Sequence, residues 1–484
     1  MNATEAVTTV PLCVDLDGTL LRGDLLWESL ALLLGDKPWL VFALPVWLMA
    51  GRAALKRRIL QHVRVPVDSL PYNTELLEWL RAEKATGRPI ILATASDQML
   101  ADSLARHLDL FDGVMGSDGV TNLKGSDKLA ELSARYGANF DYAGNSSADL
   151  PIWKACREAI LVDTPAHVER TARQSAVVSR VFSSPRSTLS LIRRELRFHQ
   201  WLKNLLVFVA LITSHQFTHL DMVWKACVAF FAFGFMASSA YIINDVSDLQ
   251  SDRKHHRKRN RPFASGALGL PWAFALAPGL FLAGVGLTVI FIPSAIWVLF
   301  AYYALTLWYS FGLKTRLLVD VFALAALYTI RILFGAAAYH IELSVWLLSF
   351  SMFIFLSLGF AKRAAELANL SNSGATRNIR RAYVTSDLAE VKVFGIAAGY
   401  ASSLVLTLYM NSDLMRSLYR NPDILWLLFP LLLYWISRIW LITSRGEMDE
   451  DPVLFAMKDR TTMLVVLSFI IIMFLATRSW FRIF

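Results

Sequence analysis

Asn244-Asp245-Val246-Ser247-Asp248-Leu249-Gln250-Ser251-Asp252 closes an apolar run, Phe230 to Ile243, and opens a basic one, Arg253 to Arg261. Asp245, Asp248 and Asp252 recur at steps of three and four, which on a helix places three carboxylates on one face. Left bare, they repel one another. At the mouth of a membrane helix a divalent cation removes that repulsion, and Mg2+ held by a few carboxylates keeps open positions for substrate phosphates. Lys254, Arg257, Lys258, Arg259 and Arg261 follow at once and offer donors to phosphate oxygens. The stretch therefore reads as a Mg2+-diphosphate site at a membrane surface. The plainer alternative is a solvated, charge-balanced loop.

Outward from this stretch the 484-residue chain divides in two. It is 55% hydrophobic with a net charge of +9, but its apolar residues are unevenly spread. The part up to Thr188 reads as a soluble α/β protein, and long apolar segments dominate the rest. A polar stretch, Thr164 to Thr188 with Ser183-Ser184-Pro185 inside it, marks the boundary and gives domains over 1–188 and 189–484. Arg193-Arg194-Glu195-Leu196-Arg197 then forms a basic approach to the membrane. Three widely spaced cysteines suggest neither a disulfide framework nor a zinc site. The first apolar run is short, carries acids and has no basic segment before it, so a cleavable signal peptide is not expected.

Apolar segments run near 204–220, 222–243, 272–291, 293–309, 317–339, 343–361, 392–411, 422–443 and 461–480. A span needs about 20 residues, so these predict about nine transmembrane helices. Most Lys and Arg lie in the loops after the second, fourth, sixth and eighth segments: 253–261, Lys314 to Arg316, Lys362 through Arg377, Arg380 and Arg381, and Arg438 to Arg460. The positive-inside rule puts these loops and the N-terminal domain on the cytoplasmic side, although Arg416, Arg420, Arg478 and Arg482 run against it. The basic excess thus serves topology and phosphate binding, not nucleic acid.

Nearer the N-terminus, Val10 to Val14 is a short strand signal ending at Asp15-Leu16-Asp17-Gly18-Thr19-Leu20. An Asp after a buried strand can attack a phosphate with Mg2+ shielding the charge, and a second Asp two residues on can protonate the leaving group and then activate water. The hexapeptide resembles the first motif of the haloacid dehalogenase superfamily of phosphohydrolases. That resemblance implies a Rossmannoid α/β fold and further motifs in order. Thr94, or else Ser96, would hydrogen-bond the phosphoryl group. Lys128, or else Lys124, would hold nucleophile and phosphate together. Asn145 and Asp149, with Asp15 and Asp17, would form the Mg2+ site. Asn145 stands where an Asp is usual, so it coordinates without adding charge, and a scaffolding, inactive fold is the alternative.

Between the first two motifs, Trp39 to Ala50 is apolar but too short to span a bilayer, and Lys56-Arg57-Arg58 follow. This reads as a small helical cap. It either lies in the membrane interface with its basic end on lipid headgroups, which suits a lipid substrate, or packs as an ordinary cap.

Ionisable residues in or near spans are functional candidates. They gather on one side: Arg197 with Lys203 and Asn204, Tyr309 with Lys314 and Asp320, Arg331, then Lys362, Arg363 and Glu366, and Glu447 to Asp451 with Lys458, Asp459 and Arg460. With Asn244, Asp245, Asp248 and Asp252 matching N-D-x-x-D-x-x-x-D, this constellation resembles the UbiA superfamily of intramembrane prenyltransferases. Arg197, Gln200-Trp201, Lys203-Asn204, Lys258, Arg261-Pro262 and the Gly446 to Arg460 stretch resemble one branch, the decaprenyl-phosphate phosphoribosyltransferases.

That resemblance implies Mg2+ on Asp245, Asp248 and Asp252, with phosphoribosyl diphosphate (PRPP) and a polyprenyl phosphate as substrates in a bacterial inner membrane. Lys254, Lys258, Arg259 and Arg261 would hold the diphosphate or the 5-phosphate. The lipid phosphate would lie near Arg197, Lys203 or Lys362-Arg363. Phosphoribosyl transfer leaves a 5-phosphate, which the tethered phosphatase-like domain could remove. The competing readings are a prenyltransferase with an aromatic or isoprenoid acceptor, and a transporter or scaffold with an inactive N-terminal domain. A homo-oligomer is compatible with each.

Overall fold

The computed structural model describes residues 10–118, 123–183, 187–256, 258–372, 382–413, 415, 419–448 and 451–477. Arg257, Arg377, Arg380, Arg381, Arg416, Asp449, Glu450, Arg478 and Arg482 lie outside the described residues. By packing, the chain forms two compact units: Met1–Leu196 with Ile242–Leu276, and Arg197–Tyr241 with Ala277–Phe484. The first break, after Leu196, lies eight residues beyond the expected boundary at Thr188. The acidic stretch and the basic loop behind it fold into one unit with the N-terminal sheet.

In that first unit six parallel strands form one sheet: β1 (Leu12–Val14), β2 (Ile90–Asp97), β3 (Gly113–Ser117), β4 (Asp141–Gly144), β5 (Ala159–Val162) and β6 (Val178–Phe182). Their order is β3-β2-β1-β4-β5-β6. β1 is central, with Leu12 in register with Ile90 on one side and Asp141 on the other. Leu12, Cys13 and Val14 are all buried, as a parallel strand covered on both faces requires. Alternate side chains enter opposite cores. Leu12, Val14 and Leu92 pack with Leu76 and Leu104, whereas Cys13, Ile91 and Ala93 pack with Leu132 and Trp153.

The cap predicted between the first two strands is present. Asp24 caps helix Leu25–Asp36 by accepting from Leu26 N at 2.8 Å. A 3-10 turn Pro38–Ala43 and helices Leu44–Met49 and Arg52–His62 follow, packed around Leu33, Ile59 and Val63.

The remaining chain is a helical bundle of membrane type. Among the described residues seven helices are long and apolar enough to span: Leu220–Ser247, Pro271–Phe291, Pro293–Phe311, Val319–Tyr339, Val345–Ser371, Thr385–Met410 and Pro422–Ser444. Pro452–Lys458 and Arg460–Ala476, bent by 76° at Asp459, make an eighth if taken as one span. The described residues thus give seven or eight candidate spans where about nine are expected. The 204–220 segment is no single helix: a 3-10 run Phe198–Phe208 leads into the five-residue helix Val209–Thr213, and His215 ends it in the left-handed region at φ 57°. This irregular segment packs closely on helix Val319–Tyr339. Its Val207 carbonyl lies so close to Gly335 in helix Val319–Tyr339 that a Cβ there would meet the oxygen at 2.0 Å.

Candidate active sites

The strand order reverses beside β1, and ligands in open α/β sheets bind at the carboxyl ends of strands at such a point. Asp15 stands there, its N–H bonded to Ala143 O at 2.9 Å. Lys128 Nζ lies 2.6 Å from Asp15 Oδ1 and donates to the Tyr142 hydroxyl at 3.0 Å, which in turn donates to Asp149 Oδ1 at 3.0 Å. The other Asp149 oxygen accepts from the N–H groups of Asn145 (3.1 Å) and Ser146 (2.9 Å) and from Ser146 Oγ (3.1 Å). Asp149, expected as a metal ligand, thus orients Lys128 and the Asn145 turn. Lys124, the alternative to Lys128, is exposed.

Asp17 Oδ1 accepts from Leu25 N and Oδ2 from Ser96 Oγ, each at 2.8 Å. Thr94 is buried and accepts from Ser96 N at 3.0 Å, so of the two candidate hydroxyls it is Ser96 that reaches the aspartate pair. Gly18, at φ +77°, lies against the Asn145 amide, where a Cβ would meet Nδ2 at 2.0 Å. That approach brings Asn145 to the Asp15–Asp17 loop. Burial pushes both carboxyls up, Asp15 to about 6 and Asp17 to about 7; Lys128 opposes the rise at Asp15, and the charge of Asp24 adds to it at Asp17.

The same unit holds the acidic stretch. Helix Leu220–Ser247 ends within it, and a short helix, Leu249–Lys254, resumes after Asp248. Hydrogen bonds from Asp248 N to Asn244 O and from Asp252 N to Asp248 O, both 2.9 Å, carry the helical path across the break. Arg261 Nη1 donates to Asp245 Oδ1 at 2.9 Å and also bridges to Asp252. Both aspartates are buried. Burial raises the Asp252 carboxyl against the pull of Arg261. The structure thus joins Asp245 and Asp252, two turns apart, through one guanidinium, with Asp248 between them at the break.

Arg253 is bound bidentately to Glu28 in the cap (3.0 and 2.7 Å) and donates to Ala264 O at 3.0 Å. Lys254 and Arg259 are exposed and line, with Asp68 and Ser69, an open cleft of about 320 Å³. Lys258 is half-buried in the following turn.

Among the described residues, no three Asp, Glu, His or Cys side chains form a group able to hold a metal ion. Mg2+ needs only one or two carboxylates beside water and substrate phosphate, so each aspartate pair still fits it. Asp17 meets no cation among the described residues, and the Asp245–Asp252 pair already seats a guanidinium at that position.

In the second unit Arg331 is 4% exposed and meets no carboxylate among the described residues. It donates to Asn204 Oδ1 at 3.2 Å and to Leu327 O, beneath the rings of Phe233, Tyr302 and Tyr328 at 5.1, 5.3 and 5.4 Å. Asn204 Nδ2 is buried with no partner. Lys203 pairs with Asp451 and lies 5.6 Å from the Tyr328 ring centroid; Lys362 bears on the same aspartate. Arg197 lies over Tyr241 at 5.5 Å.

Buried Asp320 and Arg363 form one network with half-buried Glu366 and Tyr309. Arg363 Nε is 2.6 Å from Asp320 Oδ2, Nη1 pairs with Glu366, and Nη2 donates to the Tyr309 hydroxyl at 3.0 Å, while Tyr383 donates to Asp320 at 2.9 Å. Lys314 lies in the turn before it, half-buried. Asp459 is held apart: Arg438 grips it bidentately at 2.7 and 3.0 Å, and it caps the last helix through Thr462 N at 2.8 Å, with Arg460 exposed beside it.

Residues 205–461 match the model of the UbiA prenyltransferase family. The chain belongs to that family. Relatives place this UbiA-family chain further. It is 37% identical to the Sinorhizobium fredii protein y4nM over 94% of its own length and 88% of that protein's, so that match runs through both halves. It is 34% identical to nodulation protein NoeC of Azorhizobium caulinodans, over 56% of this chain and 88% of NoeC. It is 30% identical to the decaprenyl-phosphate phosphoribosyltransferase of Mycolicibacterium smegmatis, over 59% of this chain and 92% of that enzyme.

Sequence reading missed three residues. Lys56, expected on lipid headgroups, instead donates to Ala95 O at 3.0 Å and lines a recess with Ser96 and Asp97. Glu28 is buried against Arg253; a lone acid in Leu25-Leu26-Trp27-Glu28-Ser29-Leu30 is the signal that would have found it. Tyr142, which joins Lys128 to Asp149, lies in the stretch before Asn145, where the sequence reading assigns it no role of its own.

Proposed function

We propose that the UbiA-family half moves 5-phosphoribose from PRPP to a polyprenyl phosphate, and that the phosphatase-like half then removes the 5-phosphate, both at the cytoplasmic face of a bacterial inner membrane. The observation that carries this reading is uncompensated positive charge inside the bundle. Among the described residues Arg331 is buried without an acid, beside the Asn204 amide, whose Nδ2 has no partner there. A buried guanidinium is costly unless an anion completes it. A lipid phosphate is such an anion, and Arg presents a planar fork suited to it. Lys203, Lys362 and Arg197 supply further donors. The similarity to the M. smegmatis enzyme supports the same substrates.

In the first step a lipid phosphate oxygen bonds to ribose C1 as the bond from C1 to the diphosphate breaks, and the diphosphate leaves with the electron pair. Arg261, Lys258 and Lys254 hold phosphate oxygens. In the second step Asp15 attacks the 5-phosphate and the ribose oxygen takes the proton of Asp17, whose raised pKa keeps that proton available near neutrality. Water, deprotonated by Asp17, then frees phosphate from Asp15, with Lys128 and Ser96 holding the phosphoryl oxygens. Mg2+ would be held by Asp245 and Asp252 in one centre and by Asp15, Asp17 and Asn145 in the other, where it would supply neutralisation of phosphate charge.

The test is to incubate purified protein with Mg2+, PRPP and a polyprenyl phosphate and weigh the lipid products. A ribosylated lipid is expected, first with and then without its 5-phosphate. Prenyl transfer from a prenyl diphosphate, with no ribosyl lipid, overturns the reading.

A further inference from the structure

The cap segment Pro38–Met49 has two apolar faces. Leu40, Leu44 and Trp47 pack inward against the cap core. Trp39, Phe42, Val46 and Met49 point outward and are 64, 83, 63 and 88% exposed. The other large apolar residues exposed on the N-terminal sheet and its helices, Met99, Val177 and Leu189, are scattered singly along the chain. A continuous outward-facing apolar segment of this kind calls for a partner.

The same unit says what that partner is. Helix Leu25–Asp36, which delivers the segment, lies on the ends of two membrane helices. Trp27 packs on Phe274 with ring centroids 5.0 Å apart, early in Pro271–Phe291. A side chain at Gly35 would meet the carbonyl of Ser247, the last residue of Leu220–Ser247, at 3.4 Å. Span ends mark the level of the headgroups. The exposed segment begins three residues after Gly35, so it starts at that level. Arg57, Arg58 and Arg64 follow and are exposed, as suits anionic headgroups, and a tryptophan at the apolar edge suits the interface.

We propose that Pro38–Met49 is a membrane-seated cap: Trp39, Phe42, Val46 and Met49 enter one leaflet and Arg57, Arg58 and Arg64 meet anionic headgroups. The cap carries Lys56 at the recess beside Ser96 and Asp97, so seating it in the leaflet holds the phosphatase-like centre against lipid-linked phosphates.

The test uses the full chain in nanodiscs containing phosphatidylglycerol, with Cys156→Ser and Cys227→Ser removing the half-buried thiols. An environment-sensitive fluorophore is placed at Phe42→Cys or Met49→Cys, and at Val177→Cys as a control. Acyl chains carrying bromine should quench the Phe42→Cys and Met49→Cys labels several-fold more than the control. Iodide quenching equal to the control overturns the proposal. Protection from both quenchers also overturns it and assigns the surface to a protein, such as a second copy. These readouts stand whether or not the phosphatase reading holds. Hydrolysis in Phe42→Ser/Met49→Ser provides a separate arm: loss on a ribosyl lipid 5-phosphate with none on soluble phenyl phosphate is expected, and equal loss on both overturns the link to lipid substrates.

Discussion

The two aspartate centres of the first unit solve the same charge problem in opposite ways. Around Asp15 a chain of contacts runs through the Lys128 ammonium and the Tyr142 hydroxyl to Asp149. Around Asp245 and Asp252 one guanidinium serves two carboxylates. Under the proposed function, the first centre would receive metal and substrate with its contacts already in place. The second is closed on its own arginine, and Mg2+ would have to replace that contact. The predictions separate these two designs.

The largest effect is expected at Asp15. Asp15→Asn removes the nucleophile and should lower 5-phosphate hydrolysis by at least about 10³-fold. Transfer should persist, so mass analysis should show the 5-phosphorylated lipid accumulating. Hydrolysis that survives in this variant breaks the picture of a prebuilt centre. Asp245→Asn should reduce transfer by about 10²–10³-fold while sparing hydrolysis of added 5-phosphorylated lipid. Arg261→Gln separates the roles further: if the arginine also binds phosphate, KM for PRPP rises although Mg2+ binds more readily.

Glu28→Gln comes next and tests what the centres share. Glu28 and Arg253 side chains are 2% and 5% exposed, so the pair is not screened by solvent. Removing one partner leaves a buried charge and should cost about 3–5 kcal/mol. A chemical unfolding curve of the detergent-solubilised protein measures it. The Asp17–Leu25 hydrogen bond lies one turn from Glu28, so both activities should fall together. A variant that loses only one activity would mean the cap helix supports the two centres independently.

What the sequence made legible was what is local. Asp15-Leu16-Asp17-Gly18-Thr19 and Asp245–Asp252 each put their chemistry within about two turns of chain, so spacing alone exposed them. Glu28 and Arg253 are 225 positions apart, and nothing in either neighbourhood names the other. The expected first span is not found as one helix for a related reason. Hydropathy over 204–220 registers composition, whereas the 3-10 run and the left-handed His215 depend on how Val207 meets Gly335. Arg331 was visible as a charge in a span, but its aromatic enclosure and missing acid were not.

The smallest effect expected concerns Asn145, the one residue that departs from the usual acidic pattern. Its amide lies over Gly18, so Asn145→Asp fits the same space. Its backbone N–H keeps its bond to Asp149. The new carboxylate adds charge beside Asp15 and Asp17, whose pKa values are already raised by burial to about 6 and about 7. Two consequences oppose each other. A third acid strengthens Mg2+ binding through ligand charge. It also raises the neighbouring pKa values further, so protons compete with Mg2+ more strongly as pH falls. Above pH 8, where these carboxyls are ionised, the first effect wins and the Mg2+ concentration for half-maximal hydrolysis should drop about tenfold. Near pH 6 the gain should vanish. A Mg2+ titration of hydrolysis at both pH values reads this directly; a requirement unchanged at high pH would place Asn145 outside the metal's reach and leave Asp15 and Asp17 to hold it alone.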